Sequence, residues 1–168
     1  MRCGYVLSRQ PGGMGWLPRL PFWLFFSSLL AASFFVYKPG LTGGFILDDY
    51  QNLKGLEFLP PALTWAGIKD FSLSGVAGFM GRPLSMATFA LQAASWPEHP
   101  GDFKYFNFLL HLLNGCVLLW LWLILGRLLD AKSAPAVALL AVAWWLWHPL
   151  NVSTTLYVVQ RMTQMSAF

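Results

Sequence analysis

Three apolar runs punctuate the chain, and the polar positions between them decide what those runs can be. From Leu20 to Tyr37 the sequence LPFWLFFSSLLAASFFVY carries no charge, and at 1.5 Å per residue it reaches roughly 27 Å, close to the hydrocarbon thickness of a bilayer. A secretory signal is the alternative, but its apolar region is shorter and ends before small residues, which Phe34, Phe35, Val36 and Tyr37 do not supply. The second run starts at Phe103 and is closed by Arg127, Asp130 and Lys132. The third, Pro135 to Trp147, is short for a crossing and must borrow residues at both ends.

The pattern therefore predicts an all-α membrane protein with about three transmembrane helices: a cytoplasmic segment 1–19, spans at 20–37, 103–126 and 134–150, a cytoplasmic turn 127–133, an outer loop 38–102 and an outer interfacial segment 151–168. Arg2, Arg9 and Arg19 precede the first span without an acidic neighbour, which sets the amino terminus inside. The long loop is broken by Pro39, Gly40, Gly43, Gly44, Pro60, Pro61, Pro97, Pro100 and Gly101. Within it, Pro61 to Phe71 and Pro83 to Trp96 have helix-like apolar spacing with proline at the first position, as expected of amphipathic helices lying on the membrane surface. Trp144, Trp145 and Trp147 crowd the end of the third span like an interfacial belt and place His148 outside. Val152 to Phe168 ends without a cap or polar tail, so the chain is expected to be cut there.

Composition supports the membrane reading. Charged residues are only 11% of the chain and hydrophobic residues 57%, against about 25% charged in soluble domains. The +4 net charge forms no basic stripe, so nucleic acid is not an expected partner, whereas membrane lipids are. Cys3 and Cys116 are held apart by the topology and imply no disulfide.

Chemistry is offered by a few polar residues near the outer side. Asp48 and Asp49 are adjacent carboxylates after the first span, and their repulsion predicts that one holds a raised pKa suited to a general base; a solvated turn or an N-cap is the bland alternative. Arg82 precedes Pro83, which favours an extended backbone at a helix entrance, where its guanidinium can grip a phosphate or simply snorkel to headgroups. Asn107, His111 and Asn114 share one face of the second span and point either to an aqueous cavity or to another helix. His148 and Arg161 complete the outer set, although a histidine beside three tryptophans is more often an interfacial hydrogen bonder than a catalyst. Asn151-Val152-Ser153 matches a glycosylation sequon close to the membrane. Gly12-Gly13-Met14-Gly15 lacks the lysine and spacing of a phosphate loop. No metal set is evident; a divalent cation is compatible with Asp48 and Asp49 but lacks a third ligand.

In this order, GGFILDDYQNL, GRPLSMATFAL, FKYFNFLLHLLNG and HPLNVSTTLYVVQRMT resemble the motifs of the membrane O-mannosyltransferase family with tetratricopeptide repeats and its bacterial relatives. The resemblance covers roughly Gly43 to Thr163. It implies an incomplete GT-C glycosyltransferase fold, with additional spans and the repeat domain missing, acting on a polyprenyl-phosphate-linked sugar and a protein or glycan acceptor on the non-cytoplasmic face. For a bacterial-type relative, suggested by Gln160, that face is the periplasmic side of the inner membrane. It further implies that Asp48 or Asp49 occupies the acidic motif, and that Arg82, His111, His148 and Arg161 match later motifs. An inactive remnant of such an enzyme, or a non-catalytic membrane anchor or assembly subunit, is the competing expectation, although an anchor has no need of the ordered motifs.

Overall fold

A computed structural model describes residues 20–60, 63–74 and 82–167. The basic segment 1–19, with Arg2, Cys3, Arg9, Gly12, Gly13, Met14, Gly15 and Arg19, lies outside the described residues, as does the expected helix start at Pro61. All elements among the described residues are helical.

The first helix, α1, runs Leu20–Leu41, four residues beyond Tyr37. Pro39 falls in its last turn, and Lys38 there complements the negative helix end. After the Gly43-Gly44 turn, the acidic pair opens a short helix, α2 (Asp48–Leu53), which continues into a 3-10 turn, Lys54–Phe58. Two further loop helices follow, α3 (Trp65–Ser74) and α4 (Pro83–Ala90). The Pro83 to Trp96 stretch is thus one helix with proline at its start plus a separate 3-10 turn, Ala93–Ser95.

The long helix α5 runs Pro100–Leu128, beginning three residues before Phe103; its 29 residues extend roughly 44 Å. Its end is turned by Asp130 in the left-handed region (φ 51°), which Asp tolerates, while the Ala131 N–H closes on the Gly126 carbonyl at 3.0 Å. The chain returns as α6 (Ala134–Leu146), only 13 residues long, or about 20 Å. It then bends by 64° into α7 (Leu150–Leu156). A 3-10 turn, Val158–Gln160, leads to α8 (Arg161–Met165).

Helices α1 and α5 are each long and apolar enough to cross a membrane, and the bent pair α6–α7 makes a third candidate. Only 22% of the most apolar stretch of α1 and 28% of that of α5 are buried inside the chain. Leu24, Phe25, Phe35, Leu109, Trp120, Leu140 and Trp144 instead face outward. Water would penalise so continuous an apolar exterior, whereas lipid does not. The helices touch through a narrow seam of Phe22, Phe26, Leu119, Ala138, Val142 and Leu146. On the loop side, a second core gathers Leu53, Phe71, Met86, Phe89, Trp96, Phe103, Val158 and Met162 around the start of α5.

The register along α5 shows where the last segment goes. Leu146 packs at the height of Gly115, and its carbonyl accepts from the Tyr37 hydroxyl at 3.0 Å and meets His111 Nε2 at 3.0 Å. The carbonyls of Tyr157 and Val158 meet Asn107, nearer the loop side, while the carbonyl of Gln164 meets Asn114, seven residues deeper. The chain therefore climbs through α7 to the loop side, turns at Tyr157–Gln160, and descends again as α8.

Candidate functional site

The site forms where that turn meets the acidic pair. Asp49 is fully buried at the start of α2, and each of its carboxylate oxygens accepts a backbone N–H: Oδ2 from Ile46 at 2.9 Å and Oδ1 from Val159 at 2.8 Å. Burial raises its pKa above the ordinary 3.8, opposed by those two N–H groups, by the charge of Lys104 and by the Val158 backbone N–H. One of the two acids is indeed raised, but desolvation is the main cause, and repulsion by its neighbour is not. Asp48 is exposed; its backbone N–H donates to the Tyr157 hydroxyl at 3.2 Å, and its carbonyl accepts from Asn52 at 2.8 Å. Of the pair, then, Asp48 is exposed with its carboxylate beside the Tyr157 hydroxyl, and Asp49 clips the turn to the Tyr157–Gln160 segment.

Arg161 corrects an expectation about phosphate. Its side chain is fully buried, and its donors are engaged within the chain: Nε to Asn107 Oδ1 at 2.8 Å, one terminal nitrogen to Thr88 Oγ1 at 3.2 Å, the other to Gln92 Oε1 at 2.6 Å and to the Phe103 carbonyl at 3.1 Å. Phe89 and Phe106 lie with ring centres 4.3 Å from the guanidinium carbon, adding cation–π attraction. A group so enclosed braces protein and presents no fork to an outside phosphate. The guanidinium needs this dense shell because an unpaired buried charge is costly.

The polar face of α5 resolves in favour of helix-to-helix bonding. Asn107 Nδ2 donates to the Tyr157 and Val158 carbonyls at 3.2 and 3.1 Å, Asn114 Nδ2 to the Gln164 carbonyl at 3.2 Å, and His111 lies 3.2 Å from the Tyr37 hydroxyl while stacking on Trp145. These residues order the returning chain. Along this packed seam Gln164 Oε1 is buried without a hydrogen-bond partner.

His148 does not join the acidic turn. It sits at the bend between α6 and α7, two residues past Leu146, its Nδ1 accepting the Leu150 N–H at 3.3 Å and its ring edge-on to Trp144. Because α6 ends near the middle of α5, the histidine lies at bundle depth, and its position beyond the tryptophan belt is corrected accordingly. Asn151 of the sequon donates its amide to the Trp145 carbonyl at 2.7 Å, so that nitrogen is already engaged.

Arg82 is exposed and left-handed (φ 42°, ψ 56°) where an extended backbone was expected. Its carbonyl must point into α4 to accept the Met86 N–H at 3.2 Å, and that requirement overrides the pre-proline preference. No partner among the described residues engages its guanidinium. Among the described residues, no group of three His, Cys, Asp or Glu side chains converges as a metal site.

Sequence reasoning missed two residues here. Tyr157 lies in a mixed apolar and polar segment with no local pattern to single it out. Lys104 is almost wholly buried at the start of α5, with Nζ 3.4 Å from the Gly40 carbonyl. Its signal was present, since Lys104 stands three residues before Asn107 on the same helix face.

No protein-family profile, curated protein or solved structure matches the chain.

Proposed function

We propose that the loop-side acidic turn belongs to a membrane glycosyltransferase that moves a sugar from a polyprenyl-phosphate carrier to a hydroxyl acceptor on the non-cytoplasmic face. The observation that carries this reading is the junction of the four sequence motifs. Asp49 of the first bonds Val159 of the fourth, while Arg161 of the fourth bonds Thr88 of the second and Asn107 of the third. Residues spread over more than a hundred positions thus build one hydrogen-bonded platform beneath an exposed carboxylate. An anchor needs no such convergence.

In the proposed reaction, Asp48 takes the proton of the acceptor hydroxyl as its oxygen attacks the anomeric carbon. The bond from that carbon to the phosphate oxygen breaks, the configuration inverts, and polyprenyl phosphate departs with the bonding electrons. Arg82, exposed and free of partners among the described residues, is assigned to the charge developing on the phosphate. Asp49 and Arg161 shape the platform and touch no substrate. The helices described are taken as the amino-terminal part of a GT-C fold, with the bacterial inner membrane as the setting.

The test is transfer by the protein of the intact reading frame, supplied with defined polyprenyl-phosphate sugars. Transfer by the wild type and its loss in a membrane-inserted Asp48→Asn variant are expected. Asp48→Asn retaining full transfer would remove the base assignment, and no transfer from any carrier would remove the reaction class.

A further inference from the structure

Lys104 is anomalous for its position. A lysine at the end of a membrane helix normally stretches its ammonium to water. Lys104 instead keeps only 3% of its surface exposed. Its Nζ lies over the last turn of α1, 3.4 Å from the Gly40 carbonyl, and a Cβ placed on Gly43 would stand 2.9 Å from it. The glycine therefore leaves room for the ammonium beneath the turn that leads to the acidic pair. Its charge acts on Asp49, the buried carboxylate of that turn, without a direct ion pair between them. Besides Lys104, the titratable groups around Asp49 are Asp48 on the same helix and Tyr157 on the returning segment.

We propose that Lys104 is a positioning residue: bonded to Gly40 and seated beneath Gly43, it locks the end of α1, the start of α5 and the turn that leads to the acidic pair into one register, and so aims the Asp48 carboxylate. The locking is a property of the fold; the aiming of Asp48 at a reacting hydroxyl rests on the transferase reading above. The two are separable by experiment.

Asp49 supplies the readout. Its pKa in the folded chain is raised by burial, so its contribution to stability is complete below 3.8 and fades as pH rises through the folded value. Lys104 holds that folded value down. Thermal midpoints of the purified full chain in detergent, measured across pH, should show this fading extended to higher pH in Lys104→Met, because the folded value of Asp49 rises when the cation is removed. Lys104→Arg should follow the wild type, and in an Asp49→Asn background Lys104→Met should produce no displacement. Lys104→Gln, which keeps a donor for Gly40 without the charge, should behave like Lys104→Met and stands in for it if the methionine variant does not fold. An unmoved profile in the neutral variants, or an equal displacement with and without Asp49, would overturn the proposal. A displaced profile in a protein that transfers no sugar would leave the lock standing and sink the transferase reading; lost transfer in Lys104→Met with an unmoved profile would do the reverse.

Discussion

Asn107 Oδ1 accepts the Nε–H of Arg161 at 2.8 Å, while Nδ2 of the same amide holds the carbonyls of Tyr157 and Val158. One side chain on α5 thereby fixes both the charge and the backbone of the segment that caps the bundle. A carboxylate in its place could accept from Arg161 but could not donate to the carbonyls, which explains why an amide suits a site that holds a cation. Asn107→Ala should cost on the order of 3 kcal/mol, because it strands part of a buried guanidinium and two buried carbonyls. In a double-mutant cycle with Arg161→Met, a coupling of about 1–3 kcal/mol is expected in thermal or denaturant unfolding; simple additivity would mean that the two residues do not act together.

The two aspartates should separate in the same measurement. Asp48→Asn changes an exposed side chain and should leave stability within about 0.5 kcal/mol. Asp49→Asn replaces one buried acceptor by an NH2 group that faces an N–H donor, either that of Ile46 or that of Val159, and should cost about 1–3 kcal/mol. The difference should narrow as pH rises, since the raised pKa of Asp49 makes its stabilising contribution largest in acid. Equal costs at both positions would show that the Val159 clip is not formed.

The spans illustrate what a single sequence can and cannot reveal. Uninterrupted apolar runs made α1 and α5 legible, because a bilayer imposes length and composition directly on the residues that cross it. The shared face of Asn107, His111 and Asn114 was legible for the same local reason, the helical period. What those residues face was not, since a polar stripe looks alike whether it meets water or the carbonyls of a returning segment. Arg161 misled because its type suits phosphate, while its shell of Thr88, Gln92, Asn107 and the Phe103 carbonyl comes from two other regions of the chain. His148 was misplaced by its neighbours: tryptophans mark an interface on average, but Trp147 here bonds Ser33 at 3.0 Å within the bundle.

Close approach of α5 and α6 depends on Gly126, whose missing side chain leaves room for Ala134. Ala134 offers no flexible end that could swing aside. Gly126→Val should therefore separate the helices and lower stability by about 1–3 kcal/mol. Gly115→Ala meets the tip of Leu146 at 2.9 Å, a side chain that can rotate, and should cost less. Unfolding midpoints of the two variants check the order; a milder effect at Gly126 would contradict the packing at the turn.

Sidedness can be tested without any substrate. With Cys3 and Cys116 replaced, single cysteines at Leu47, Phe58 and Leu129 should be exposed to a membrane-impermeant maleimide, whereas Leu140, on the outward apolar face of α6, should be shielded by lipid. Leu47 and Phe58 should label from one side of sealed vesicles, because both lie in the segment that joins α1 to α5. Leu129 should label from the other, because α5 carries the chain across. Labelling of Leu47 and Leu129 from the same side would show that α5 does not cross, and with that the acidic turn would lose its place on a face opposite the short turn between α5 and α6.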